Sequence, residues 1–362
     1  MDELFEPVTV GRLELPNRLV MAPMTRSRAA AGGLATELAA EYYAQRAGAG
    51  LIITEGVQPS VLGQGYVSTP GLYDREQVEA WRAVTGAVHA AGGRIVAQLM
   101  HTGRVGHPYL YPDGSLPLGP SPVASGMKLF TPDQGMLEHP EPREMTLDDI
   151  ARTVEEFASA ARNAVEAGFD GVELHGANGY LINQFLADGS NHRTDAYGGS
   201  VENRNRFAVE VARAAVDAVG ADRVGMRVSP GTPLNGITES DPDAQYGALV
   251  RELNPLGLAY LHIMELGDRA RTRRLREAWD GTLLLNPHPS AGSSPARPEH
   301  GVEALREGVA DAVVFGEMWL ANPDLPERIK AGGPYNEPDR ASYYGGDHHG
   351  YTDYPTLVAA TA

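Results

Sequence analysis

Residues 146–175 read TLDDIARTVEEFASAARNAVEAGFDGVELH and hold one complete helix–strand unit. From Leu147 to Ala167 apolar residues recur at helical spacing. Thr146 is placed to cap the first turn, with Asp149 three residues on, and Gly168 gives the helix a stop. Gly171–His175 follows as a short apolar run of strand length. The same unit recurs in both directions. Strands are expected at Arg18–Ala22, Leu51–Glu55, Arg94–Leu99, Gly171–His175, Val224–Ser229, Leu258–Met264, Thr282–Asn286 and Ala312–Phe315. Helices are expected at Glu37–Ala47, Asp74–Ala91, Leu147–Ala167, Val201–Val219, Asp241–Asn254, Arg271–Trp279 and Glu299–Gly308, with Gly92 and Gly308 as further stops. Eight short strands interleaved with helices predict an α/β protein with a closed parallel sheet, a single (β/α)8 TIM barrel over residues 1–362. The strands are nearly continuous in apolar character, as both covered faces require. Residues 1–17 alternate through Val8, Val10, Leu13 and Leu15, which predicts an N-terminal hairpin plugging the barrel bottom. Residues 101–146 are rich in proline and glycine and too long for an ordinary connection, so a lid over the mouth is expected after strand three. The tail 332–362 reads as loop, but its aromatics predict packing.

Composition narrows the chemistry. The 362 residues include no cysteine, which excludes disulfides, thiolate metal sites, iron–sulfur clusters and cysteine nucleophiles. Thirty basic residues against 47 acidic ones give a net charge of −17, so nucleic acid and anionic membranes are poor partners. Lys128 and Lys330 are the only lysines and neither ends a buried strand, which closes most Schiff-base chemistry. There is no apolar run of spanning length, and the acidic segment Met1–Pro7 lacks a signal-peptide core, so a cytoplasmic location is the expectation.

In such a barrel the chemistry sits at the C-terminal ends of the strands. The polar residues there are Thr25, Gln98, His101, His175, Asn178, Tyr180, Arg227 and Glu317, with Gly56 and Gly316 beside them. Gln98 and Arg227 interrupt otherwise apolar strands. A buried amide and a buried guanidinium need partners, and a planar cofactor with carbonyl oxygens would satisfy both. The plainer readings are a structural amide for Gln98 and a core ion pair with Glu173 for Arg227. His175 read alone is a satisfied core histidine, Thr25 a turn cap and Tyr180 a packing aromatic. No Gly-x-Gly-x-x-Gly follows a strand, so no separate nicotinamide domain is expected. Strand one ends without a His-x-His pair, which disfavours a metal-dependent hydrolase, and His348-His349 reads as a loop pair rather than a metal site.

Several segments carry a family resemblance. They include Pro16-Asn17-Arg18, Met21-Ala22-Pro23-Met24-Thr25-Arg26, Gln98-Leu99-Met100-His101-Thr102-Gly103-Arg104 and Val172-Glu173-Leu174-His175-Gly176-Ala177-Asn178-Gly179-Tyr180. Arg227-Val228-Ser229-Pro230 and Gly350-Tyr351-Thr352-Asp353-Tyr354-Pro355 extend the set along almost the whole chain. In these the chain resembles the Old Yellow Enzyme family of flavin-dependent ene-reductases. The resemblance implies one barrel with FMN at its mouth, reduced by NADPH or NADH, acting on small-molecule activated alkenes as a monomer or homodimer. It implies that Ala22, Pro23, Met24, Thr25, Gly56, Gln98, Arg227, Gly316 and Glu317 hold the cofactor, with Arg227 stabilising negative charge on the reduced ring. His175 and Asn178 would bind the carbonyl oxygen of the alkene and Tyr180 would deliver the proton. Tyr66, Met100 and Tyr351 would line the substrate pocket.

The chain departs from the family where the cofactor phosphate would sit. After strand seven it reads Asn286-Pro287-His288-Pro289-Ser290-Ala291-Gly292, and proline offers no N–H. After strand eight it reads Phe315-Gly316-Glu317, an acid where the family has arginine. Three readings follow. Glu317 points away while Arg297 or the backbone of Ser293 and Ser294 holds phosphate; or FMN binds loosely; or the cofactor is the 8-hydroxy-5-deazaflavin coenzyme. The arginines Arg269, Arg271, Arg273, Arg274 and Arg276 are either a solvated helix face or a receptor for that coenzyme's anionic tail. A catalytically silent flavin-binding barrel is the remaining alternative.

Overall fold

The structure is a computed structural model and describes residues 1–290 and 295–357. Eight parallel strands close into a barrel in chain order: β1 (Leu19–Met21), β2 (Leu51–Val57), β3 (Ile95–Leu99), β4 (Gly171–Gly176), β5 (Val224–Val228), β6 (Tyr260–Met264), β7 (Leu283–Asn286) and β8 (Ala312–Phe315). Each falls within or beside an expected run. The helix Leu147–Glu166 carries the anticipated capping box, with Thr146 Oγ1 accepting from the Asp149 N–H at 3.1 Å and Asp149 Oδ2 accepting from the Thr146 N–H at 2.9 Å. Gly168 follows at φ +90°, a conformation that only glycine adopts freely. Short helices at Leu181–Leu186, Glu317–Ala321 and Leu325–Ala331 were not expected; at five to seven residues they are too short to show helical periodicity.

The core has two parts. Between sheet and helices lies a large apolar layer that includes Ile52, Trp81, Phe157, Leu174 and Leu261. Inside the barrel a smaller cluster joins Val20, Leu51, Ile53, Val96, Leu284 and Val314 to Val10 and Leu15. The last two come from an antiparallel hairpin, Val8–Val10 with Leu13–Leu15, which covers the interior cluster from the N-terminal side. Among the described residues no helix is long and apolar enough to cross a membrane.

Asn17 explains the Gly48-Ala49-Gly50 segment. Its Oδ1 accepts from the N–H groups of Leu19 (3.0 Å) and Gly50 (2.9 Å), and its Nδ2 donates to the Gly48 carbonyl (3.1 Å), which ties β1 to the start of β2. A Cβ on Gly50 would lie 2.2 Å from the Asn17 carbonyl oxygen. Gly50→Ala is therefore expected to destabilise the protein by about 1–3 kcal/mol, from forced backbone movement in a packed core. Chemical denaturation measures this; an unchanged midpoint would contradict the packing described.

Candidate functional site

The C-terminal ends of the strands open into one cavity of about 700 Å³, the size of pockets that hold a cofactor-sized ligand. Pro23, Met24 and Thr25 enter its wall after β1, Gly56 at the end of β2, and Gln98 and Met100 at the end of β3. His175, Asn178 and Tyr180 come from β4 and the turn after it, Arg227 from β5, Glu317 from beyond β8, and Tyr66 from the loop after β2. Gly56 leaves room for Met100: a Cβ there would lie 2.4 Å from the Met100 Cε, so a larger residue would displace that side chain.

Barrel register sets the polar floor. Gln98 is opposite Glu173, His175 is opposite Arg227, and Arg227 is opposite His262. The two-residue alternation of the strands turns all five to one side. Glu173 did not become the hydrogen-bonded partner of Arg227 that the plain reading offered. Its Oε1 accepts from Gln98 Nε2 and its Oε2 accepts from His262 Nδ1, both at 2.8 Å. Arg227 acts on it electrostatically, and the buried Arg227 Nε has no hydrogen-bond partner among the described residues.

The turn after β4 converges three side chains. Asn178 sits at φ +58°, a left-handed conformation that asparagine tolerates better than most residues. Its N–H donates to Ser229 Oγ (2.8 Å) and its carbonyl accepts from Asn235 Nδ2 (2.8 Å). The Gly179 N–H donates to Asn183 Oδ1 (2.8 Å), and the Gly179 carbonyl accepts from Gln184 Nε2 (2.7 Å). All four backbone polar groups of Asn178 and Gly179 are thus anchored by side chains. His175 Nδ1 and Asn178 Oδ1 are buried without a partner among the described residues, which leaves unmet hydrogen-bonding capacity at the cavity, as at a ligand site.

Electrostatics assign protonation states. Burial, with Arg227 and His262 adding like charge, holds His175 well below its ordinary value, so it is a neutral imidazole near pH 7. Burial raises the pKa of Tyr180, although hydrogen bonds from Tyr66 and Asn235 oppose the shift. The Tyr66 and Tyr180 hydroxyls are 2.8 Å apart, and the Tyr180 ring meets His175 edge-on at 5.0 Å between centroids.

Some expected residues stand elsewhere. Tyr351 does not reach the cavity: its ring is fully buried, stacked on Tyr42 at 4.2 Å with Arg26 and Arg28 over its faces. These arginines also bind tail carbonyls, among them Tyr343 (3.0 Å, from Arg26 Nε) and Asp347 (2.9 Å, from Arg28 Nε). The tail so held contributes Tyr343, Tyr344 and Gly345 to the cavity wall instead. Ala22 and Gly316 lie behind that wall; a Cβ on Gly316 would touch Met24 Sδ at 3.6 Å and the Ala22 Cβ at 3.8 Å. His101 is buried off the cavity, its Nδ1 accepting from the Gly103 N–H at 3.1 Å. From the 101–146 segment the hairpin Lys128–Thr131 with Gly135–Glu138 brings Leu129, Phe130 and Met136 to the wall.

The phosphate question is partly resolved. Glu317 is on the cavity wall, with its carboxylate 4.0 Å from Arg340 and acting on the Tyr343 hydroxyl. Ser293 and Ser294 lie outside the described residues. The five arginines from 269 to 276 are all engaged by acids: Arg269 by Glu265 and Glu307, Arg271 by Asp243 and Asp268, Arg273 by Glu307, Arg274 by Asp243 and Arg276 by Asp311. They form an ion-paired helix face rather than a free receptor for an anionic tail.

Under this wall lies Glu55, whose Oε2 accepts from the Arg26 N–H at 3.2 Å and whose Oε1 accepts from the Tyr43 hydroxyl at 3.4 Å. Burial pushes its pKa from 4.5 to about 7, against the opposing pull of the Arg26 contacts. The folded state therefore holds this proton more tightly than the unfolded chain. That stability is complete below pH 4.5 and is lost as pH rises towards about 7, a difference of about 3 kcal/mol. Glu55→Gln is expected to flatten this part of the pH–stability curve in denaturant titrations; an unaltered slope would show that Glu55 is already ionised in the folded protein.

A closed barrel whose mouth gathers an amide, a guanidinium, a neutral histidine and a protonated tyrosine defines a class of small-molecule oxidoreductase sites. Comparison with known proteins agrees. The NADH:flavin oxidoreductase / NADH oxidase family matches residues 3–336. The 12-oxophytodienoate reductase 7 of Oryza sativa subsp. japonica is 42% identical over 380 residues, covering 98% of this chain and 94% of that protein. The structure of morphinone reductase in complex with tetrahydroNAD is 44% identical, with a TM-score of 0.92 over 98% of this chain and 97% of that one. An old yellow enzyme homologue from Zymomonas mobilis is 38% identical, with a TM-score of 0.93 over 98% and 100% of the two chains. The chain belongs to the Old Yellow Enzyme family of NADH:flavin oxidoreductases.

Proposed function

We propose that this protein is an ene-reductase that uses FMN, reduced by NADH or NADPH, to saturate the activated C=C bond of α,β-unsaturated ketones, aldehydes, maleimides or nitroalkenes. The observation that carries the reading is the convergence of His175, Asn178 and Tyr180 on the cavity that Gln98 and Arg227 also line. The fit to a flavin is supported by the unpartnered Arg227 Nε and by the size of the cavity. Gln98 and Arg227 would hold the pyrimidine edge of the ring, and Thr25 the carbonyl beside the hydride position, with Pro23 and Met24 lining the wall next to it. The Glu317 carboxylate stands near the expected phosphate position, with the exposed Arg340 guanidinium 4.0 Å away. When bound, the flavin supplies the hydride.

The remaining chemistry belongs to the chain. Addition of hydride at the β-carbon pushes an electron pair on to the substrate's carbonyl oxygen. The neutral His175 and the Asn178 amide are hydrogen-bond donors fixed in place before this charge develops, so they stabilise it without reorganising. The Tyr180 O–H then gives its proton to the α-carbon, and Tyr66 donates to the phenolate left behind. The same cavity must take nicotinamide and alkene in turn, which predicts ping-pong kinetics.

The test is the absorption spectrum of the purified protein and of its released cofactor. A flavin spectrum that bleaches with NADH or NADPH and returns on adding maleimide supports the reading. A deazaflavin spectrum, or protein that cannot be loaded with FMN, overturns it.

A further inference from the structure

Three fully buried groups lie behind the cavity wall without a role in the chemistry above: Glu173, His262 and Tyr260. Glu173 is the hub. Both of its oxygens are engaged, one by Gln98 Nε2 and one by His262 Nδ1. On the adjacent strand Gly225, the register partner of Glu173, lacks a side chain where a Cβ would meet the Tyr260 ring at 2.2 Å. That ring fills the level of the barrel that Gln98 and Glu173 share through the register Gln98–Glu173–Gly225–Tyr260. The carboxylate is thus sealed from water and reaches the cavity only through its neighbours.

A glutamine amide is ambiguous, since either end can face a partner. A carboxylate removes the ambiguity because, ionised, it only accepts. Burial opposes ionisation of Glu173, but His262, Arg227 and Gln98 outweigh it and hold the pKa below its ordinary value. His262 Nδ1 donates to the other carboxylate oxygen at 2.8 Å. The nitrogen of Gln98 therefore has to face Glu173, and its carbonyl oxygen is the end left for the cavity. Glu173 also sets the charge felt at the wall: Arg227 is two residues beyond its register partner Gly225, so the two are diagonal neighbours on the inward face.

From this geometry we infer that Glu173 is a positioning residue: it orients the Gln98 amide as an acceptor towards the cofactor and partly neutralises Arg227, so that it governs both cofactor affinity and reduction potential without touching either cofactor or substrate. This rests on the flavin reading above. Two consequences are separable. With Glu173→Gln, the new amide can donate as well as accept, so Gln98 loses its fixed orientation. FMN should then bind at least tenfold more weakly. Arg227 simultaneously loses its counter-charge and favours the more negative, reduced cofactor. The reduced form should gain at least tenfold in binding relative to the oxidised form, which is a rise of about 30 mV for a two-electron couple.

The experiment compares wild type, Glu173→Gln, Glu173→Asp and Gln98→Met. FMN is titrated into the apoproteins by fluorescence quenching, and midpoint potentials are measured on the loaded proteins, with circular dichroism checking the fold. Glu173→Asp keeps the charge and shortens the reach. It should lose affinity with its potential within about 10 mV of wild type, and it serves if the neutral variant does not fold. On the Gln98→Met background, Glu173→Gln should weaken FMN binding no further, because the effect passes through Gln98. Wild-type affinity and potential in Glu173→Gln, or wild-type affinity in Glu173→Asp, overturn the inference. A wild-type apoprotein that takes up no FMN overturns instead the functional reading beneath it.

Discussion

Asn178→Gly should lower the rate at which reduced protein turns over 2-cyclohexenone by about 10²–10³-fold, the usual effect of deleting one oxyanion donor. Glycine is the informative replacement. Asn178 lies at φ +58°, so alanine would add backbone strain to the loss of the amide, whereas glycine adopts that conformation freely. The backbone contacts from Ser229 and Asn235 remain available to any residue at this position. Asn178→Gly should therefore keep its melting temperature close to wild type and lose rate, while Asn178→Ala loses both. His175→Ala is expected to match the rate loss. Its neutral state, set by burial beside Arg227, means that acidifying from pH 8 to pH 6 should not recruit a charged imidazole or raise the rate. The double variant should lose less than the product of the single losses, since both donors meet one oxygen. Single-turnover kinetics on pre-reduced protein decide this. A loss under threefold for Asn178→Gly would remove the amide from the charge-stabilising role.

The barrel was legible in the sequence because strand and helix periodicities differ and each βα unit carries its own stops. The site residues at the strand ends were legible for a related reason: Gln98 and Arg227 are polar where the pattern demands apolar. His262 and Glu173 break the pattern in the same way, but the break does not reveal the partner each one meets. Which inward residues meet depends on strand register, and a sequence does not display register. The wall residues Phe130, Met136, Tyr343 and Tyr344 were hidden for another reason. They come from irregular segments whose path is fixed by distant contacts, such as Arg26 and Arg28 gripping the carbonyls of the tail. Tyr351 was misassigned by the same mechanism. Nothing in its local sequence distinguishes an aromatic that stacks on a second tyrosine beside two arginines from one that faces a ligand.

Tyr180→Phe should have the largest effect, a fall of about 10²–10⁴-fold in alkene turnover, the range that a positioned general acid supplies. Flavin reduction by NADH should stay within a fewfold of wild type, because that step needs no proton on the alkene. The structure adds two constraints that separate chemistry from packing. First, the Tyr180 hydroxyl faces that of Tyr66 at 2.8 Å. Removing it strands a largely buried phenol, which costs about 1–3 kcal/mol. The Tyr66→Phe/Tyr180→Phe double variant removes both hydroxyls together, so it should recover most of that stability and none of the turnover. Tyr66→Phe alone should lose turnover modestly, since the acid remains and only support for its conjugate base is gone. Second, burial keeps the Tyr180 pKa above its ordinary value of 10.0. The acid must be protonated to act, so its contribution is full below that value and is lost only as pH rises through it. Alkene turnover should therefore show no alkaline decline below pH 10. Saturation of alkene in deuterium oxide should place solvent deuterium at the α-carbon of the wild-type product. A Tyr180→Phe protein that turns over alkene at the wild-type rate, or a wild-type alkaline limb near pH 8, would assign proton delivery to another group or to water.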